Sequence, residues 1–206
     1  MKERTYQTPC GTIHYWSSIL SLDTTTLVFL PGLTADHRLF DKQVKYFEGK
    51  YNVIVWDAPA HASSWPFRLD FDLFDKAKWL NGIFEKEEII KPIIIGQSMG
   101  GYVGQAYTQL YPDRIAGFIS IDSAPLQRNY VTAVEIWLLK RMEPVYAHYP
   151  WKLLLKSGTE GVATSNYGRN LMKEMMLVYD GDQHRYAQIA GHGFRILAEA
   201  MEKNLP

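Results

Sequence analysis

Gly96, Gln97, Ser98, Met99 and Gly100 spell G-x-S-x-G, a spacing that suits a covalent catalyst. The isoleucines of "KPIIIGQS" lead into the serine, and "MGGYVGQAYTQLYPD" leads away from it. A serine wedged between a buried strand and a helix sits in a sharp turn with unfavourable backbone angles. Its hydroxyl then projects above the sheet edge. Gly96 and Gly100 carry no Cβ, so strand and helix can close tightly around the corner. The helix N-terminus beneath Ser98 favours negative charge developing nearby, as on a carbonyl oxygen under attack. The chemistry this pattern serves is nucleophilic acyl transfer. A serine at its ordinary pKa is a poor nucleophile, so it needs a histidine base, itself oriented by a carboxylate. Of six histidines, only His148, His184 and His192 follow Ser98.

The elements that must position this corner can be read from hydrophobic spacing. "ERTYQTPCGTIHYWSS" predicts an opening β-hairpin around Pro9-Cys10-Gly11. "TLVFLPG", "NVIVWDAPA", "KPIIIGQS" and "IAGFISID" are short, continuous apolar runs, the pattern of strands covered on both faces of a parallel sheet. Between them, "DHRLFDKQVKYFEGK" and "LDFDLFDKAKWLNGIFEKEEI" space their apolar residues helically. Strand and helix in alternation predict an α/β fold, a doubly wound and mostly parallel sheet. From about Asn129 onward the spacing is helical, with no convincing further strand. That region reads as a helical lid over the sheet's C-terminal edge, giving a core over residues 1–128 and a lid over 129–206.

Composition narrows the function classes. Lys plus Arg and Asp plus Glu both number 22, so the chain has no net charge. This argues against a nucleic-acid partner or an anionic membrane surface, since both require a positive field. The single cysteine, Cys10, cannot form an internal disulfide, which suits a reducing cytoplasmic setting. No apolar run approaches the ~20 residues of a membrane span. No metal site emerges: His184 with Asp180 and Asp182 reads as surface charge. Neither a phosphate-cradling loop nor a dinucleotide fingerprint is present, so no cofactor is expected.

Several ordered segments resemble the α/β-hydrolase family. "LVFLPGLTADHRLFDKQVKYF" is similar to its strand and oxyanion loop, with Pro31-Gly32 where His-Gly is common. "WDAPAHASSWPF" resembles its Asp-x-x-Gly-His-Gly-x-Ser turn, with Ala60 and Ala62 replacing both glycines. "IIKPIIIGQSMGGYVGQAYTQLYPDRIAGFISIDSAP" is similar to its elbow, helix and following strand. The resemblance implies that the backbone N–H groups of Leu33 and Met99 form an oxyanion hole. It also implies the triad order Ser, Asp or Glu, then His. Asp122, which ends the strand after the elbow helix, is a candidate acid, set against a role capping the "DSAP" turn. His192 is a candidate base, set against a place in a lid helix with Tyr186, Ile189, Phe194, Leu197 and Met201. The resemblance further implies that the final strands, with the acid and the base, are missing from these 206 residues. Were these residues the whole protein, the apolar sheet edge beside the elbow strand would be uncovered, and such an edge invites homodimerisation or aggregation.

The function expected from these residues is hydrolysis of a small ester, thioester or amide by Ser98. Trp65, Phe67, Tyr130, Trp137, Tyr146, Tyr149 and Trp151 are candidates to line a pocket for an apolar acyl or aromatic substrate, against ordinary lid packing. Two other readings stay open: a lyase or perhydrolase using the same site, and a non-catalytic ligand-binding or signalling protein that keeps the pocket.

Overall fold

The chain opens with an antiparallel hairpin, β1 (Lys2–Thr8) and β2 (Gly11–Ser18), in register from Lys2 opposite Ser17 to Thr8 opposite Gly11. The computed structural model describes residues 1–203. Four apolar runs become β3 (Thr26–Leu30), β4 (Asn52–Trp56), β5 (Ile93–Gln97) and β6 (Gly117–Ile121). Every residue of β3 and β4 is buried, as strands covered on both faces require. The sheet order is β1-β2-β4-β3-β5-β6, with β4, β3, β5 and β6 parallel. The sheet is the doubly wound, mostly parallel one that the alternation of strands and helices predicts.

Helices cover both faces. On one, a 3-10 turn (His37–Phe40) and α1 (Asp41–Phe47) pack Leu39, Phe40, Val44 and Phe47 onto Leu27, Phe29, Val53, Val55 and Ile95. On the other lie α2 (Leu73–Lys86) and α3 (Met99–Leu110). Asp72 and Asp75 form a reciprocal capping box that starts α2. The buried stripe of α2 includes Leu73, Lys76, Ala77, Leu80, Ile83 and Phe84, at the i, i+3, i+4, i+7 spacing of one helix face. It therefore contains a lysine.

The helical region comprises α4 (Ala133–Leu139), α5 (Met142–His148), α6 (Trp151–Glu160), α7 (Asn166–Met176) and α8 (Gln183–Lys203). No strand follows β6 among the described residues. Ile189, Ile196, Leu197 and Met201 of α8 join the same buried cluster as Leu73, Phe74 and Leu80 of α2. No helix among the described residues is long and apolar enough to cross a membrane.

The topology fixes where a site can form. From β3 the chain steps to β4, then crosses back to place β5 on the other side of β3. Loops leaving the C-terminal ends of β3 and β5 thus diverge and leave a crevice at the switch point. The β3 loop carries Leu33, and the β5 corner carries Ser98.

Candidate active site

Ser98 adopts φ 49° and ψ −117°, a conformation that residues with a Cβ rarely take. Such strain costs on the order of 1–3 kcal/mol and persists only where surrounding contacts over-determine it. Here they do. Ser98 N–H donates to the Ile121 carbonyl at the end of β6 at 2.8 Å. Its own carbonyl accepts from the Ser123 hydroxyl at 2.7 Å and from the Gly101 and Tyr102 amides at 2.9 and 3.3 Å.

Two glycines are needed for close approach around this corner. A Cβ on Gly100 would fall 1.9 Å from the Leu30 carbonyl oxygen, where the first turn of α3 crosses the end of β3. A Cβ on Gly32 would fall 2.3 Å from Gln97 Oε1 and 3.2 Å from Ser98 Cβ. The loop after β3 therefore lies directly against the serine. The Leu33 amide, outside any helix or strand, donates to no described residue. Met99 is the first residue of α3, where no preceding helical carbonyl is available to its N–H. Two spare main-chain donors thus belong to the segments that meet at Ser98.

Two cavities, of about 480 and 310 Å³, share Leu33, Ser98, Val162 and Met172 in their walls. The half-exposed serine stands at their junction. Asp122, at φ 55°, lines the larger one, and its carboxylate has no hydrogen-bond or ion-pair partner among the described residues. The smaller one is lined by Leu154, Met176, Tyr186 and Phe194 together with Tyr146.

Of the seven aromatics expected around the pocket, Tyr146 is the one that lines a Ser98 cavity. Phe67 packs into the core against Phe71 and Trp79, and Trp151 packs on Tyr186. Trp65 lies under the Arg185 guanidinium, while Tyr130, Trp137 and Tyr149 are exposed. The walls instead combine Leu33, Leu154, Val162, Met172 and Met176 with Tyr146, Tyr167, Tyr186 and Phe194, and Trp65 and Phe67 lie outside any helix.

The structure does not bring His192 to Ser98. Tyr186, Ala190 and Phe194 put one face of α8 on the smaller cavity, and His192 leaves from another face. It lies edge-on against Phe71, with ring centroids 4.5 Å apart, and is 4% exposed. Arg195 Nη2 donates to His192 Nδ1 at 2.8 Å, so Nδ1 carries a lone pair and the ring is neutral. Burial, then the nearby positive charges of Lys76 and Arg195, push its pKa down to about 3. His61 is equally buried, its Nδ1 bonded to the Pro59 carbonyl at 2.9 Å. Burial and Lys76 lower it to about 3 as well. Among the described residues, no histidine lines either Ser98 cavity.

His37 escaped the sequence reading. The Asp57 carboxylate, fully buried, accepts from His37 N–H and His37 Nδ1 at 2.8 Å each and from Ser63 N–H at 3.0 Å. This clamp ties the loop that carries Leu33 to the turn after β4. Burial opposes charge on His37, but the bonded Asp57 carboxylate outweighs it and raises the imidazole pKa. Burial would raise Asp57, and the His37 contacts overcome it to hold the carboxyl below its ordinary value. Asp36, His37 and Asp57 place ligand-type atoms within 4.8 Å of one another. Their oxygens are already engaged, those of Asp36 by Arg38 and those of Asp57 by His37 and Ser63. Asp57 directly follows β4, in the turn that the sequence marks as "WDAPAHASSWPF". Its pairing with His37 carries no local sequence signal.

A family model described as alpha/beta hydrolase fold matches residues 25–179. The 3-oxoadipate enol-lactonase 2 of Acinetobacter baylyi is 29% identical over 106 residues, which cover 50% of this chain and 38% of that protein. The match thus spans well under half the length of this curated relative. Among solved structures, Cfl2 from Burkholderia cenocepacia aligns with a TM-score of 0.75 at 14% identity, covering 98% of this chain and 73% of the other. A carboxylesterase from the thaumarchaeon Nitrososphaera gargenis aligns at 0.71 and 15% identity, with the same coverages of 98% and 73%. The N-acyl homoserine lactonase AidH aligns at 0.66 and 17% identity, covering 100% of this chain and 72% of its own. At these identities the structural likeness speaks for the fold alone.

Proposed function

Because the chain belongs to the α/β-hydrolase fold family, we propose that it is a serine hydrolase of small carboxylic esters or thioesters, with cyclic esters and amides in the same class. The observation that carries this reading is Ser98 in its strained corner at the junction of two cavities, flanked by the unengaged Leu33 and Met99 amides. A bound carbonyl at that junction receives Ser98 Oγ, and its oxygen becomes the oxyanion. Leu33 and Met99 N–H groups donate to it, each worth roughly 3 kcal/mol of transition-state stabilisation, with the positive end of the α3 dipole behind them. The serine proton passes to a base and on to the leaving group. Water then hydrolyses the acyl-serine by the same route. Among the described residues no histidine lines either cavity, and imidazole supplied from solution can take the base's place in the test below. Leu154, Met176, Tyr186 and Phe194 favour an apolar acyl arm in the smaller cavity.

The relatives support this class. One is named an enol-lactonase, one a carboxylesterase and one an N-acyl homoserine lactonase. A second reading, a ligand-binding protein that retains the pocket, draws on the lack of a histidine in either cavity wall among the described residues.

Labelling with a fluorophosphonate, with added imidazole as a diffusible base, separates the two. A serine adduct in the native chain that disappears in Ser98→Ala supports the hydrolase. No adduct at any imidazole concentration, with small acyl ligands still raising the melting temperature, supports the binder. Homodimerisation is a further part of the proposal, favoured by the exposed Ile119 and Ile121 on edge strand β6. Sedimentation velocity across a range of concentrations tests it.

A further inference from the structure

Deepening the hydrolase reading, on which it rests, we propose that Asp122 selects substrates carrying a positive charge on the arm that enters the larger cavity. The chemical class is an ester or thioester with an ammonium or guanidinium group.

The first observation is charge. Among the residues lining the two Ser98 cavities, Asp122 is the one charged side chain, in a chain whose net charge is zero. The smaller cavity is walled by uncharged residues throughout. A substrate with one arm in each cavity therefore meets a neutral wall on one side and a single negative charge on the other.

The second is that this carboxylate is unspent. Asp122 makes no hydrogen bond or ion pair among the described residues. The positive φ of 55° at Asp122 turns the chain sharply where β6 ends, beside the Ser98 corner that β6 pins through the Ile121 carbonyl. A turn aspartate commonly spends its carboxylate on neighbouring backbone N–H groups. Asp122 does not, and its exposed side chain stands unengaged in the cavity wall.

The third is an aromatic in the same wall. Tyr167 lines the larger cavity, and its ring already carries the Lys42 ammonium at 3.6 Å from the centroid. Lys42 forms no ion pair with Asp122. Lys42 takes that ring face, so the selection rests on the Asp122 carboxylate, with Tyr167 showing that this wall tolerates a cation. A partly exposed contact of this kind corresponds to about five-fold in rate, and salt weakens it.

The test uses two phosphonofluoridates of one shape, esterified with choline and with its neutral carbon isostere 3,3-dimethylbutanol. Each forms a bond from Ser98 Oγ to phosphorus and expels fluoride, the serine proton passing to added imidazole. Rates are normalised to each probe's reaction with hydroxide. The cationic probe should label the native chain about five-fold faster, with the advantage shrinking as salt rises. In Asp122→Asn the ratio should fall to about one, and in Asp122→Lys it should invert. An unchanged ratio in Asp122→Asn while labelling proceeds overturns the proposal and leaves the hydrolase reading standing. If neither probe labels Ser98, the hydrolase reading is what fails. Charge selection is then decided separately by titrating free choline into isotopically labelled protein. Amide shifts at residues 97–99 and 121–123 that vanish in Asp122→Asn support it, and their absence in the native chain overturns it.

Discussion

At Ser98 the unengaged polar groups stand beside two cavities; at His61, His192 and Lys76 they lie among packed side chains. Among the described residues, His61 Nε2 and His192 Nε2 are buried without partners, and Lys76, 1% exposed, has neither hydrogen bond nor ion pair. The Lys76 ammonium lies over the Phe71 ring, its centroid 5.6 Å away. Both regions forgo hydrogen bonds, a cost that a fold retains only for a reason. At Ser98 the reason is space beside strained backbone and spare donors. The buried cluster has imidazoles, the commonest catalytic base, yet no reacting group can reach them. Residue type alone does not make a site.

The comparison can be broken most sharply at the serine. Ser98→Ala should abolish fluorophosphonate labelling, read by intact mass. Residual labelling at the native rate would move the nucleophile elsewhere. Next in size is Gly32→Val, which drives a side chain into Gln97 and against Ser98. It should displace the Leu33 amide and slow labelling on the order of 100-fold, the usual effect of losing one oxyanion donor. Circular dichroism should show the fold retained.

In the buried cluster the expected effects are on stability. Lys76→Met keeps the volume and removes an unpaired buried charge, so it should stabilise the fold by about 2 kcal/mol in urea unfolding. Burial lowers the Lys76 pKa from 10.5 to about 8. Between those values the unfolded chain binds more protons, so native stability should rise with pH from about 8 to 10.5. That slope should be absent in Lys76→Met. His61 and His192, lowered from 6.5 to about 3, give the same sign at the acid end: stability should fall as pH drops from 6.5 toward 3.

The smallest expected effect sharpens the contrast. His192→Gln should change the labelling rate by less than about two-fold, because its ring bonds Arg195 and not Ser98. Slowing on the scale of a lost general base, on the order of 100-fold or more, would return His192 to the site.

Much of this molecule was legible before any coordinates. The continuous apolar runs of β3, β4, β5 and β6 announced a sheet covered on both faces, and G-x-S-x-G placed the corner after β5. Gly32 and Gly100 stand where a Cβ would strike main chain or the serine itself, so close packing there was written in residue type. Lys76 could have been caught, since it lies on the stripe of Leu73, Ala77 and Leu80. The Asp57–His37 clamp could not, because the partners lie 20 residues apart and meet only when the loops after β3 and β4 converge.

Local sequence by itself determined which stretches are strands, where the Ser98 corner stands, and which side of each helix is apolar. Backbone sterics and hydrophobic periodicity act over a few residues and need no distant partner. The tertiary structure alone decided which side chains face Ser98. It chose Asp122 and the methionines for the cavity walls, and turned His192 and most of the expected aromatics elsewhere. Those outcomes depend on how far each helix rotates about its axis as it packs, a quantity set jointly by every neighbour and written in no single segment.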